Sequence, residues 1–217
     1  MFSPKIIRKY DAKWQPLDYR PRINSTEELP MRRIVLVFGL IAGVIMSAMM
    51  LVTVSFSDRI GFNGGWIVGY TSMVLAYLMV YFGIRSYRDN ISGGAITFGR
   101  AFTVGIGITL IACACYVATW ELVYHRFFPD FMDKYAAFAV ERTRRSGATP
   151  AQIEAKIAEM AKAKEMYKNP LFRIPQTFLE AFPVGLLFTL VSAGMLRRTR
   201  NDVNGAPPIV DAAAAAR

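Results

Sequence analysis

The chain has 217 residues, of which 53% are hydrophobic and only 19% charged, with a net charge of +10. Soluble domains usually carry nearer a quarter charged residues, and here the apolar residues are gathered into blocks, which excludes an ordinary soluble fold. The positive charge comes without any nucleic-acid-binding motif, so no nucleic acid is expected as a partner and the bilayer is.

Residues 1–30 are polar and carry Pro4, Pro16, Pro21 and Pro30. They read as a disordered cytoplasmic tail, and Met31-Arg32-Arg33 reads as a membrane-protein start, with residues 1–30 as an optional extension. A membrane helix needs about 20 apolar residues to cross roughly 30 Å of hydrocarbon. Ile34–Phe56 meets this without an ionisable residue. It is too long for a signal peptide and lacks a small-x-small cleavage site, so an uncleaved span is predicted.

Ser57–Gly65, rich in Gly, Asn and Asp, predicts a tight turn into an antiparallel second span, Trp66–Ile84. Arg85–Arg100 then connects to span three through Ser92-Gly93-Gly94, a flexible break. Its glycines are followed by no Gly-Lys-Ser/Thr, so it is not a phosphate loop. Arg100 reads as an anchor at the entry of span three, with Asp89 or a lipid phosphate as its alternative partner.

Span three, Ala101–Tyr124, holds Cys113 and Cys115. Two residues apart on a helix they point to different faces, which predicts packing residues instead of a metal site or disulfide. Between 125 and 175, Phe131, Tyr135 and Phe138 recur at helical spacing, as do Ile153, Ile157 and Met160. Thr149-Pro150-Ala151-Gln152 is a capping box with Pro at the first helical position. A helical hairpin over about 130–146 and 150–168 follows, ending at Asn169-Pro170, with its apolar stripes packed on each other or on the membrane surface. The fourth span is roughly Gln176–Leu196, with Pro183 inside it, and residues 199–217 form a second disordered tail.

The predicted fold class is therefore all-α: an integral membrane four-helix bundle with an extracytoplasmic helical hairpin between spans three and four. Orientation follows the positive-inside rule. Arg32, Arg33, Arg85, Arg88, Arg197, Arg198 and Arg200 flank the spans on one side, which places both termini in the cytoplasm and the hairpin outside.

Helices in lipid associate through small residues that let backbones approach. Such ladders are Gly39, Gly43 and Ser47 in span one, Gly105 and Thr109 in span three, and Gly185 and Thr189 in span four. Internal packing of one compact bundle is the expected use. Homodimerisation through the span-one ladder is the alternative.

Ionisable groups inside a membrane invite a functional reading. Glu121 lies one turn from the outer end of span three, with His125 four residues later, and Glu180 lies one turn inside span four. Antiparallel spans would set both carboxylates at a similar depth, where with His125 they could bind a cation or relay a proton. The plainer expectation is that each reaches water at the interface marked by Trp120 and Tyr124. No catalytic residues, cofactor or metal site emerge: one histidine and no mid-span carboxylate supply no nucleophile–base or metal set.

Two stretches are more specific than hydropathy. Gly83-Ile84-Arg85-Ser86-Tyr87-Arg88-Asp89 is followed by Gly93-Gly94, Ile96-Thr97-Phe98-Gly99-Arg100-Ala101-Phe102 and Gly105; Phe128-Pro129-Asp130-Phe131-Met132-Asp133-Lys134-Tyr135 comes later. Together with the span-one start, they resemble an uncharacterised bacterial membrane family, domain of unknown function 4199 (DUF4199), over residues 31–198. The resemblance implies four spans in a bacterial cytoplasmic (inner) membrane and no known activity or catalytic residues. The function expected is a non-enzymatic assembly, scaffold or regulatory membrane protein, working with another membrane or periplasmic protein. The alternative is a small oligomeric transporter or ion-linked permease using Glu121 and Glu180.

Overall fold

The computed structural model describes residues 25–198; the predicted tails lie largely outside this range, at 1–24 and 199–217. The described chain is six α-helices: α1 (Ser25–Ser55), α2 (Ser57–Asn90), α3 (Phe98–Arg126), α4 (Phe131–Arg145), α5 (Pro150–Lys168) and α6 (Pro170–Leu196). Four stretches are long and apolar enough to cross a membrane: Met31–Ser55, Gly61–Asn90, Phe98–Arg126 and Pro170–Leu196. The chain is a multi-pass, all-helical membrane protein with a helical hairpin, α4–α5, between its third and fourth spans.

Helix ends differ from the sequence reading in two places. The turn expected over Ser57–Gly65 shrinks: α2 begins directly after Phe56, and Gly61 is the non-helical residue inside it, at φ 65° and ψ 172°. That left-handed backbone suits glycine alone, so one residue redirects the chain while Gly64 and Gly65 stay helical. The fourth span starts at Pro170 and not at Gln176. Asn169 ends α5 and at once caps α6: its side-chain oxygen accepts from Leu171 N–H at 2.9 Å, and Pro170 takes the first helical position.

In the bundle, α1 packs on α2 and α3, and α6 packs on α2 and α3. The core runs through Ala42, Met46, Met73, Tyr77, Ile84, Val104, Ile108 and Ala193. Outward, Leu40, Val44, Ile67, Leu78, Leu187 and Met195 remain exposed, as a lipid-facing belt requires. The small residues set the close approaches. Gly39 and Gly43 face Ile111 and Cys115 of α3, and a Cβ added to Gly105 would lie 2.8 Å from Thr189 Cγ2. Ser47 shares a 2.7 Å hydrogen bond with Thr119, and the Thr109 and Thr189 hydroxyls meet at 3.0 Å. Gly185 lies against Thr109 and Tyr77.

At the end away from the hairpin, Gly93 and Gly94, both at positive φ, turn the chain between α2 and α3. Ile96 and Arg198 exchange two backbone hydrogen bonds of 2.9 Å, tying this connection to the end of α6. The Arg100 guanidinium carbon lies 6.0 Å from the Tyr87 ring centre, while Asp89 pairs with Arg85 and Arg88.

Candidate functional site

Two features occupy the hairpin end of the bundle, and together they separate the two carboxylates singled out in the sequence. The first is an ion pair centred on Arg173, a residue the sequence reading left in the connection. Arg173 is 1% exposed. Its Nε donates to Glu121 Oε1 at 2.8 Å and its Nη2 to Glu121 Oε2 at 2.6 Å, a two-pronged guanidinium–carboxylate contact. Nη1 donates to the Tyr167 carbonyl at 3.0 Å. Nη2 also lies 3.2 Å from His125 Nε2. The Tyr124 ring centre lies 4.2 Å from the guanidinium carbon, closing one side with an aromatic face.

This arrangement clamps three elements. Glu121 and His125 come from the end of α3, Tyr167 from the end of α5 and Arg173 from the first turn of α6. Trp120, beside Glu121, donates its indole N–H to the Tyr167 hydroxyl at 2.7 Å. Burial pushes the Tyr167 phenol up to about 12, so it stays a neutral acceptor at any physiological pH. With both Glu121 oxygens engaged by one fixed cation, the pair fastens the hairpin to the bundle.

Glu180 is elsewhere. It lies ten residues into α6, about 15 Å along the axis at 1.5 Å per residue, whereas Glu121 lies about 8 Å from the end of α3. The equal depth expected for the two carboxylates does not hold, because Arg173 is the α6 residue beside Glu121 and Glu180 lies seven residues, about 10 Å, further along the helix. Among the described residues, no cation or hydrogen-bond donor is paired with Glu180. No group of three or more His, Cys, Asp or Glu that could hold a metal forms among them either.

The second feature is the space Glu180 lines, a cavity of about 480 Å³. α2 and α6 meet where the Tyr77 hydroxyl donates to the Ala181 carbonyl at 3.1 Å. Toward the hairpin they leave a space lined on α2 by residues up to Ser72 and on α6 by Phe172, Gln176, Thr177 and Glu180. Met46 and Met50 of α1 and Tyr116 and Trp120 of α3 form the back wall; Phe131, Met160 and Tyr167 of the hairpin form the roof. Gly65 and Gly69 keep the α2 wall thin: a Cβ at Gly69 would meet nothing within 4 Å. Lys134, also at the lining, is drawn aside by Asp130 at 3.1 Å and by the Phe128 ring.

The roof is held by aromatic packing. Phe62, one residue past the Gly61 break, lies 5.1 to 6.2 Å from the ring centres of Phe131, Tyr135 and Phe138 on α4. The apolar stripe of α4 thus packs on the start of α2. The α5 helix carries the Thr149–Gln152 capping box in full and buries Met160 and Tyr167, while Asp133 of α4 pairs with Lys164 of α5.

No curated protein and no solved structure is similar to this chain. Residues 37–198 match the family described as Protein of unknown function (DUF4199), a stretch running from within α1 to the Ile96–Arg198 bridge and containing both the clamp and the cavity. The chain belongs to the DUF4199 family.

Proposed function

We propose that this chain is a non-enzymatic regulatory membrane protein that binds an apolar ligand in the cavity beneath its helical hairpin. The observation that carries this reading is the cavity itself. Its volume falls within the roughly 300–1,000 Å³ of small-molecule sites, and such sites pair apolar, aromatic walls with a few polar groups. Helices in a bundle normally close such gaps with side chains; here Gly65 and Gly69 stand where larger residues would fill it.

The positive-inside pattern supports placing both termini and the 91–97 connection in the cytoplasm of a bacterial inner membrane. The hairpin then faces outward, and the cavity lies in the outer leaflet. A partner reading the hairpin from outside is the route by which occupancy would be signalled. The engagement of Glu121 by Arg173 weighs against a transporter built on a carboxylate pair, since one member is already neutralised.

The test uses the full chain in lipid nanodiscs with Trp14→Phe and Trp66→Phe, leaving Trp120 as the reporter in the cavity wall. A bromoalkyl alcohol should quench Trp120 fluorescence saturably. Gly69→Phe, which places a ring into the space, should remove the saturable component and leave only linear quenching by bilayer partitioning. Linear quenching in the unblocked protein would refute the reading.

A further inference from the structure

Resting on the cavity reading, we infer that the ligand is a lipophilic cation, a long-chain ammonium, whose head group is held by Glu180. The cavity contains one carboxylate and no uncommitted cation. Lys134 is engaged by Asp130 and the Phe128 ring. Arg173 is engaged by Glu121 and is not part of the lining. Glu180 itself has no partner among the described residues.

Depth makes this informative. Glu180 lies 16 residues, about 24 Å, before the end of α6 at Leu196, which keeps it inside a ~30 Å hydrocarbon layer, toward the hairpin side. Isolated charges there are expensive, and they persist where they face a cavity or meet a counter-charge. An alkylammonium supplies that counter-charge, and its chain supplies the apolar surface that the walls match.

The remaining walls suit the same head group. Tyr70, Tyr116 and Trp120 all line the cavity, and aromatic faces attract ammonium groups, Trp most strongly. Gln176 and Thr177 lie within one turn of Glu180 on α6 and also reach the lining, giving neutral oxygens beside the carboxylate. At about 480 Å³ the space is of small-molecule size, enough for a head and a medium-length chain. An anionic amphiphile would set like charges together at this depth, and a neutral one would leave the carboxylate unpaired.

The experiment compares three bromoalkyl probes of one chain length, ending in trimethylammonium, hydroxyl or carboxylate. Each is titrated against the Trp120-reporter protein in nanodiscs of zwitterionic lipid, so that bilayer charge does not sort them. The ammonium should bind at least tenfold tighter than the alcohol, with the carboxylate weakest. Glu180→Gln should bring the ammonium to the alcohol's affinity, and Glu180→Lys should favour the carboxylate. Equal saturable binding of all three heads by the reporter protein with Glu180 in place overturns the cationic assignment and leaves the cavity reading standing. A preference that survives Glu180→Gln overturns Glu180 as its source. Saturable quenching by none of the probes overturns both.

Discussion

Substituting either half of the Arg173–Glu121 pair tests the clamp, and the two halves should not cost the same. Glu121→Gln leaves a guanidinium that is 1% exposed without its counter-charge, with one amide oxygen in place of two carboxylate oxygens beside the Tyr167 carbonyl. Removing one member of a buried pair typically destabilises by about 3–5 kcal/mol, and the burial of Arg173 puts this variant in that range. Arg173→Met leaves a carboxylate whose side chain is 22% exposed and has His125 Nε2 at 3.6 Å. Water can solvate it, so about 1–3 kcal/mol is expected. The double substitution removes both charges, and apolar replacements of buried pairs are often close to neutral. A double-mutant cycle should therefore show coupling of about 2 kcal/mol or more. Equilibrium unfolding of the purified protein in a fixed detergent mixture, followed by helical circular dichroism, gives the four stabilities. Additive effects, or a larger loss for Arg173→Met, would refute the reasoning, because they would mean that Arg173 is solvated.

Close helix approach gives a second contrast: Gly105→Ala should destabilise by about 1–3 kcal/mol as its Cβ meets Thr189 and Ile84. Gly69→Ala, with open space around it, should leave the thermal midpoint unchanged or raised. Phe62→Ala removes the ring on which Phe131, Tyr135 and Phe138 pack, so amide exchange in α4 should accelerate by at least tenfold while α3 keeps its protection. The Tyr167 phenol, raised by burial to about 12 from an ordinary 10, should appear in an alkaline absorbance titration as one late tyrosinate that Tyr167→Phe abolishes. Since the folded value is the higher one, the stability tied to this ring is intact below pH 10 and is lost as the pH climbs through 12; ionisation near 10 would place the ring in water.

Much of the fold was legible because membrane spans and caps are local signals. An unbroken apolar block such as Ile34–Phe56 has few alternatives, and Thr149-Pro150-Ala151-Gln152 carries its own hydrogen-bonding pattern. The ion pair was not legible for a physical reason. Asn169-Pro170 reads equally as the stop of one helix and the start of the next, and here it is both. Reading only the stop left Arg173 in a connection and moved Glu180 toward the surface. A useful signal was present: Arg173 and Glu180 are seven residues apart, two helical turns, with Thr177 between them on the same face. The cavity had no sequence signal of that kind, because it arises where α2 and α6 stop touching. Gly65 and Gly69 match the pattern of a packing ladder, and only the neighbours show that a Cβ at Gly69 would meet nothing within 4 Å.

Asn169 carries a mechanical implication. Its N–H closes α5 on Met166, its carbonyl accepts from Phe172 and Arg173, and its side chain caps α6. With one residue serving both helices, there is no slack between the hairpin and the fourth span. A tilt of the roof must turn the first coil of α6 with it and pull on Arg173, and through that guanidinium on α3. The hairpin is thus geared to the membrane helices as a crank is to its shaft. A movement of the hairpin is thereby carried to α6 through Asn169 and to α3 through Arg173.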